Sequence, residues 1–417
     1  MSAVWRRAVS RFGFAYWILF CSSVLTQIFD FHILEKTSGR VWTELGLFVG
    51  RILGMSSIAT ETTGSGDRTI DWLTLLGVLG LAILATGVWT GLDREGRHDE
   101  RVRGFVRVML RYSLALLMLS YGLAKLDADH SQFPAPGLGR LTQTFGNSSP
   151  MGMLWTFMGS SQAYTKFAGI GECVGGALLL TRRTTLAGAL VLIPVLTNVV
   201  MLNFCYDVPV KINSAHYLVM AIVLVLPDAR RILDVVLLRR AVEAAPPLPA
   251  VRWRGRRWPV LVVKALVLAA FFVPVALSFR ESSEAPAMWF DGYWEVDSFA
   301  RNGVELPPIM TDKTRWKRMK FESAEGQSYM RWHYMDGSYG GLYTVAEHTE
   351  DHFTFAPAEG KGSAVTFTLT RTDADHFSIA GNTGAEEVRV TLHRQRAEQM
   401  PLTTRGFHWI SEVPYNR

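Results

Sequence analysis

A single acid, Glu172, interrupts the apolar run from Tyr164 to Leu180, and the pair Arg182 and Arg183 closes it. A carboxylate inside a stretch apolar enough for a bilayer is costly to bury, so it marks a pairing or functional site. Depth suggests a partner. At about 1.5 Å per residue, Arg111 lies about 9 Å from the inner end of its apolar segment and Glu172 about 12 Å from the inner end of its own. The expectation is a buried Arg111–Glu172 ion pair between antiparallel neighbours, each charge lowering the other's cost of burial. A second polar group gathers toward the opposite ends of these segments: Tyr121, Lys125, Lys166, Asn198, Asn203, Asp207, Lys211 and His216. Together they predict a polar chamber opening outward, above the deeper pair. The plainer alternative has Lys125 and Lys166 reaching for lipid headgroups, the asparagines bridging helices, and His216 as a satisfied structural histidine.

Other chemistries find less support. Gly169, Gly171, Gly175 and Gly176 are spaced GxGxxxG with no strand before them, so close helix packing through Gly171 and Gly175 is expected rather than dinucleotide binding. No HExxH or CxxC pattern occurs, and His333, His348, His352, His376, His393 and His408 fall on scattered strands and turns, so no metal site is expected. Cys21, Cys173 and Cys205 all lie in or beside apolar segments, which leaves redox chemistry to a bound cofactor such as a quinone.

These residues need helices to position them. Apolar windows near the length of about 20 residues that crosses a bilayer fall at about 12–29, 70–92, 105–124, 163–180, 184–202, 213–227 and 259–278. Seven spans are read, with six plus a re-entrant segment as the alternative. Val41 to Leu53 is shorter and broken by Glu44 and Arg51, and is expected to lie along the outer surface. The short loops set the orientation: with the N-terminus inside, 17 Arg and Lys side chains, Arg11 among them, fall on the cytoplasmic side against seven outside. The N-terminal apolar run reads as an uncleaved anchor.

From Glu284 the pattern changes to strict alternation, as in Val365, Phe367 and Leu369 against Thr366, Thr368 and Thr370, or Val388, Val390 and Leu392 against Arg389, Thr391 and His393. Turn signals stand at Asn302-Gly303, Asp336-Gly337, Glu359 to Gly362 and Gly381 to Gly384. Roughly eight short strands suit a closed meander barrel of lipocalin-like kind, with Trp289, Phe290, Tyr293 and Trp294 plugging one end. This part carries 14 Lys and Arg against 19 Asp and Glu of the chain's 43 and 37, so the basic excess belongs to the apolar part. It is a topology signal beside anionic lipid, and nucleic acid is not an expected partner.

The expected fold class is thus an α-helical integral membrane bundle of about seven transmembrane helices joined to an all-β antiparallel meander barrel. Residues 1–104 hold two spans and a large outer loop, 105–227 a four-helix core, 228–258 a basic cytoplasmic loop, 259–280 the last span, and 284–417 the extracytoplasmic barrel.

The core resembles the DoxX-like family of small bacterial membrane proteins. The likeness rests on Arg111, on YGLAKL at Tyr121 to Leu126, on Phe133, on GIGECVGGALLL at Gly169 to Leu180, and on TRRTTLAGA at Thr181 to Ala189. It implies a four-helix membrane core in a bacterial inner membrane and, in some relatives, quinone-linked oxidation of sulfur compounds. This chain adds two spans before the core, one after it, and a barrel. The expected function is a quinone-linked redox protein or subunit with a polar intramembrane site. The alternative is a non-catalytic protein that binds or transports a small apolar molecule through the barrel, or that assembles membrane partner subunits.

Overall fold

The computed structural model describes the chain except residues 1–2, 29–31, 62, 128–131, 244–257, 279–287, 325–326, 350–351, 359–362, 385, 397, 399 and 405–417. Arg252, Arg254, Arg256, Arg257, the turn at 359–362 and His408 therefore lie outside the described residues. The chain divides into two compact units, one of residues Met1–Pro134 and Ser149–Arg280, the other of Ala135–Ser148 and Glu281–Arg417.

The first unit is all helix. Each of the seven apolar windows is a helix: α1 (Ala3–Ile28), α3 (Thr69–Leu92), α4 (Asp99–Leu126), α7 (Gln162–Leu179), α8 (Thr185–Cys205), α9 (Lys211–Val225) and α11 (Trp258–Ser278). Among the described residues, α3 and α8 are long and apolar enough to cross a membrane by length and composition. The segment expected along the surface forms the second half of a 21-residue helix, α2 (His32–Ile52), docked on α3 with Leu45 seated at Gly77. Its polar residues fall at helical spacing, so they leave one face apolar where a charge count sees only interruption. Shorter helices complete the order: α5 (Leu138–Leu141), which belongs to the second unit, α6 (Pro150–Ser160), α10 (Ala229–Val236) and the four-residue α12 (Pro401–Thr404), again in the second unit.

Local chemistry fixes the helix ends around the site. Ser149 caps α6, its hydroxyl accepting from the Gly152 amide at 3.0 Å with Pro150 in the first turn. The α9 N-terminus is capped from far away in sequence, as the Asp67 carboxylate accepts the Lys211 and Ile212 amides at 2.7 and 3.0 Å. A carboxylate there satisfies orphan donors and complements the positive end of the helix dipole.

Arg11 is a correction. Counted as a cytoplasmic loop charge, it is fully buried in α1, where its Nε meets Asp99 Oδ1 at 2.8 Å and its guanidinium donates to the Asp93 and Trp89 carbonyls. Because α1 begins at Ala3, Arg11 stands about two turns inside the helix.

The second unit is a closed barrel. Strands β1 (Gly292–Arg301) and β3 to β9 (Trp316–Ala324, Gln327–Tyr334, Tyr339–His348, His352–Pro357, Val365–Arg371, His376–Thr383 and Glu386–Gln395) form an antiparallel meander. The eight close through β1 and β9, with Val296 opposite Leu392 and Phe299 opposite Val390. The two-residue β2 (Val304–Glu305) lies off β1 after the Asn302-Gly303 turn, where both residues have positive φ. Alternation does what the sequence leads one to expect: Val365, Phe367, Leu369, Val388, Val390 and Leu392 are buried, and Thr366 and Arg389 are exposed.

The barrel interior is filled. Phe290, Trp294, Phe299, Phe321, Phe355, Phe367 and Phe377 are almost wholly buried, with Trp294 edge-on to Phe377 at 4.4 Å between ring centres. Phe290 and Trp294 are core residues, as the plug reading of that cluster anticipates. At the same end Arg394 lies 4.3 Å over the Trp294 ring and donates to the Asp291 and Trp289 carbonyls. Residues Ala135–Ser148, expected in the helical core, fold with this unit: Arg318 donates to the Thr142 carbonyl at 3.2 Å, and Gly139 abuts the Tyr293 hydroxyl.

Candidate functional site

Packing of α4 against α7 decides which charges meet. A Cβ on Gly122 would stand 2.5 Å from the Cys173 Sγ and 2.7 Å from the Gly169 carbonyl oxygen. One on Gly176 would stand 2.9 Å from the Ala115 carbonyl oxygen. Only bare backbone lets the antiparallel helices approach this closely, and the two contacts lock one register. In that register Glu172 faces Lys125, not Arg111. Lys125 Nζ donates to Glu172 Oε2 at 2.7 Å, with both side chains more than nine-tenths buried.

The expected Arg111–Glu172 pair is therefore not formed. The depth argument starts the first helix at residue 105, whereas α4 begins at Asp99, which sets Arg111 twelve residues in and toward the Arg182 turn. Apolar windows locate helices but not their ends.

The Lys125–Glu172 pair forms part of the wall of a pocket of about 470 Å³ inside the helical unit. Tyr121, Asn198 and Asn203 line it too, so five of the sequence-predicted residues come together there. Most of the remaining wall is apolar: Met118, Phe133, Leu154, Trp155, Met158 and Leu202, with Pro194 breaking the backbone ladder of α8 at that level. Tyr121 and Tyr217 share a hydrogen bond, and Lys125 lies 5.7 Å over the Tyr121 ring. Two residues of the wall each carry a buried amide atom with no protein partner among the described residues, Asn203 Nδ2 and Gln132 Oε1. Asn203 is 6% exposed. Buried polar atoms are almost always hydrogen-bonded, so a donor and an acceptor left open on residues lining one apolar cavity are unused hydrogen-bonding capacity there.

The other predicted residues lie elsewhere. Arg111 is on the opposite side of the α4–α7 contact, as above. Lys166 is exposed on α7. Asp207 is exposed, with positive φ, and accepts from Lys211 at 2.8 Å; Lys211 is spent on that bond and on Asp67 at 3.8 Å. His216 takes the plainer reading. Its Nδ1 donates to the Ile212 carbonyl at 2.6 Å, its Nε2 accepts from the Tyr16 hydroxyl, and its ring stacks on Phe20 at 4.2 Å. Gly175 abuts Leu192 as expected of close packing, whereas Gly171 makes only ordinary contact with Val195.

Sequence reasoning missed Tyr217, Gln132, Asn213 and Ser214 on the pocket wall. A signal for three of them was present. Asn213 and Ser214 stand one turn before Tyr217 on α9, a face that turns the neighbouring His216 away from the pocket. Gln132 carries no such signal, since a loop residue has no period.

Fold and site together define a protein of two parts, a helical unit with an ion pair set in an apolar pocket and a closed eight-stranded antiparallel barrel. No family model matches the chain, and no solved structure does. Over 146 residues it is 32% identical to the uncharacterized protein YwoB of Bacillus subtilis (strain 168), a stretch covering 34% of this chain and 90% of that protein. The chain belongs to the same family as YwoB.

Proposed function

We propose that the protein is a multi-pass membrane protein of about seven spans whose helical unit binds a small amphipathic molecule with a polar head, a quinone being the favoured ligand. The observation that carries this reading is the 470 Å³ pocket with the Lys125–Glu172 pair and the open amide atoms of Asn203 and Gln132 on its wall. Its volume is in the range of small-molecule sites, about 300–1,000 Å³. A quinone head offers carbonyl acceptors to Asn203 and Lys125, and its reduced form offers a donor to Gln132. Lys125 and Glu172 hold a proton between them where such a head would sit.

The DoxX-like resemblance of residues 105–227 supports the same reading and a bacterial inner membrane. A bound quinone would supply two-electron redox chemistry, with electrons exchanged through a partner subunit. Topology follows the loop charges, with the N-terminus cytoplasmic and the barrel extracytoplasmic.

The test is mass spectrometry of small molecules that co-purify with the full-length protein in mild detergent. Stoichiometric quinone in the wild type, lost in Glu172→Gln and reduced in Asn203→Leu, is the expected result. Equal quinone in all three samples, or none in any, sinks the assignment.

A second reading gives ligand binding to the barrel. Its filled interior speaks against a lipocalin-style calyx, but a notch of about 480 Å³ on the outer wall, lined by Arg331, Tyr339, Gly340, Gly341, Leu342, Tyr343 and Pro357, favours an external site. A ligand that disappears from the purified protein on Arg331→Ala, with any quinone retained, would move the assignment there.

A further inference from the structure

Arg111, drawn away from Glu172, stands in a second constellation. It is 7% exposed, its Nε has no hydrogen-bond partner among the described residues, and its guanidinium lies 4.8 Å from the Tyr112 ring centre. The cations bearing on it are Arg182 and Arg107. From α11, Lys264 brings its ammonium to 5.9 Å from the same ring and donates to the Leu180 carbonyl at 3.0 Å.

Among the described residues, neither Arg111 nor Lys264 has an ion-pair partner. Asp228 is engaged by Arg107 at 3.8 Å and by Arg231 at 3.6 Å. Residues 244–257, which lead into α11, hold four arginines and no Asp or Glu. A buried cation is costly in apolar surroundings without a counter-charge, and an anionic ligand would supply one to Arg111 and Lys264.

Resting on the membrane reading above, we propose that Arg111 and Lys264 form a binding site for the phosphate group of an anionic phospholipid in the inner leaflet. A guanidinium fork matches phosphate oxygens, an ammonium adds a point charge, and the Tyr112 ring holds both cations in place. Basic sites between membrane helices on the cytoplasmic side suit such headgroups.

The experiment uses the full-length protein in nanodiscs of phosphatidylcholine, of phosphatidylcholine with phosphatidylglycerol, and of phosphatidylcholine with inorganic phosphate in the buffer. Unfolding temperature and the lipid retained in native mass spectra are the readouts. Phosphatidylglycerol should raise the unfolding temperature and remain bound to the wild type. Both effects should weaken in Lys264→Gln and Arg111→Gln, about fivefold in affinity per cation removed, and persist in the control Arg230→Gln. Lys264 is half-buried at the bundle edge, so its variant keeps the test readable where Arg111→Gln fails to fold.

Full retention of the phosphatidylglycerol effect in Lys264→Gln overturns the site and assigns the effect to diffuse surface charge. A shift reproduced by inorganic phosphate alone upholds the phosphate chemistry and overturns the lipid as its source. Release of the chain from membranes by alkaline wash overturns the membrane reading itself, whereas a membrane-retained protein indifferent to phosphatidylglycerol overturns only the site.

Discussion

Lys125 and Glu172 share one buried pair, so removing either leaves the other as an uncompensated charge. Glu172→Gln alone and Lys125→Met alone are each expected to lower stability by about 3 kcal/mol, the scale on which breaking a buried ion pair is felt. The double variant should lose less than the sum. Thermal unfolding of all four proteins in detergent measures the coupling, and additive losses would show that the 2.7 Å contact carries none of the energy. A different residue governs the pH response of the barrel. Burial of His333, with Arg318, Arg331, Lys320 and Lys317 around it, pushes its pKa down to about 4 from 6.5. The folded state therefore binds fewer protons than the unfolded state, so stability is fully present above about 6.5 and is lost as pH falls toward 4. Calorimetry should show the barrel's transition dropping through that window and a flatter profile in His333→Gln; equal slopes would reject the assignment.

At the scale of elements, α4 and α7 act as one device. Gly122 and Gly176 set the distance between them, and their register alone brings Lys125 to Glu172. Gly122→Leu forces a side chain against Cys173 and the Gly169 carbonyl, which predicts a loss of about 1–3 kcal/mol from overpacking together with loss of ligand from the pocket. Gly171→Ala, at a position in ordinary contact only, should leave both nearly unchanged. Comparing the two variants by thermal unfolding and bound-ligand mass spectrometry separates register from general helix disturbance. The α9 cap works by the same logic at longer range, because Asp67 holds the helix that carries Asn213, Ser214 and Tyr217 to the pocket.

For the whole molecule, the proposed topology makes a direct prediction. A phosphatase fused after Arg417 should be active outside the cytoplasmic membrane, and one fused after Arg97 inactive. The protein should also stay in the membrane fraction through alkaline carbonate. The opposite fusion pattern would reverse the orientation drawn from loop charges.

Periodicity and composition by themselves determined the two-part architecture, the positions of the seven principal helices and the inward face of strands such as Val388 to Leu392. These follow from local rules, a run of apolar residues or an alternation of two, that hold whatever the chain packs against. Glu172 was also legible, because a lone acid in an apolar run is informative without a structure. Its partner was not. Lys125 rather than Arg111 reaches it because two glycine contacts shift the helices relative to one another. Asp67 reaches the α9 amides, and Gln132 reaches the pocket, across stretches with no sequence period between them. Arg11, a loop charge by composition, became a buried hub only once α1 had brought it beside Asp93 and Asp99. Which polar group meets which is set by the ends and register of packed helices, and these are properties of the tertiary structure alone.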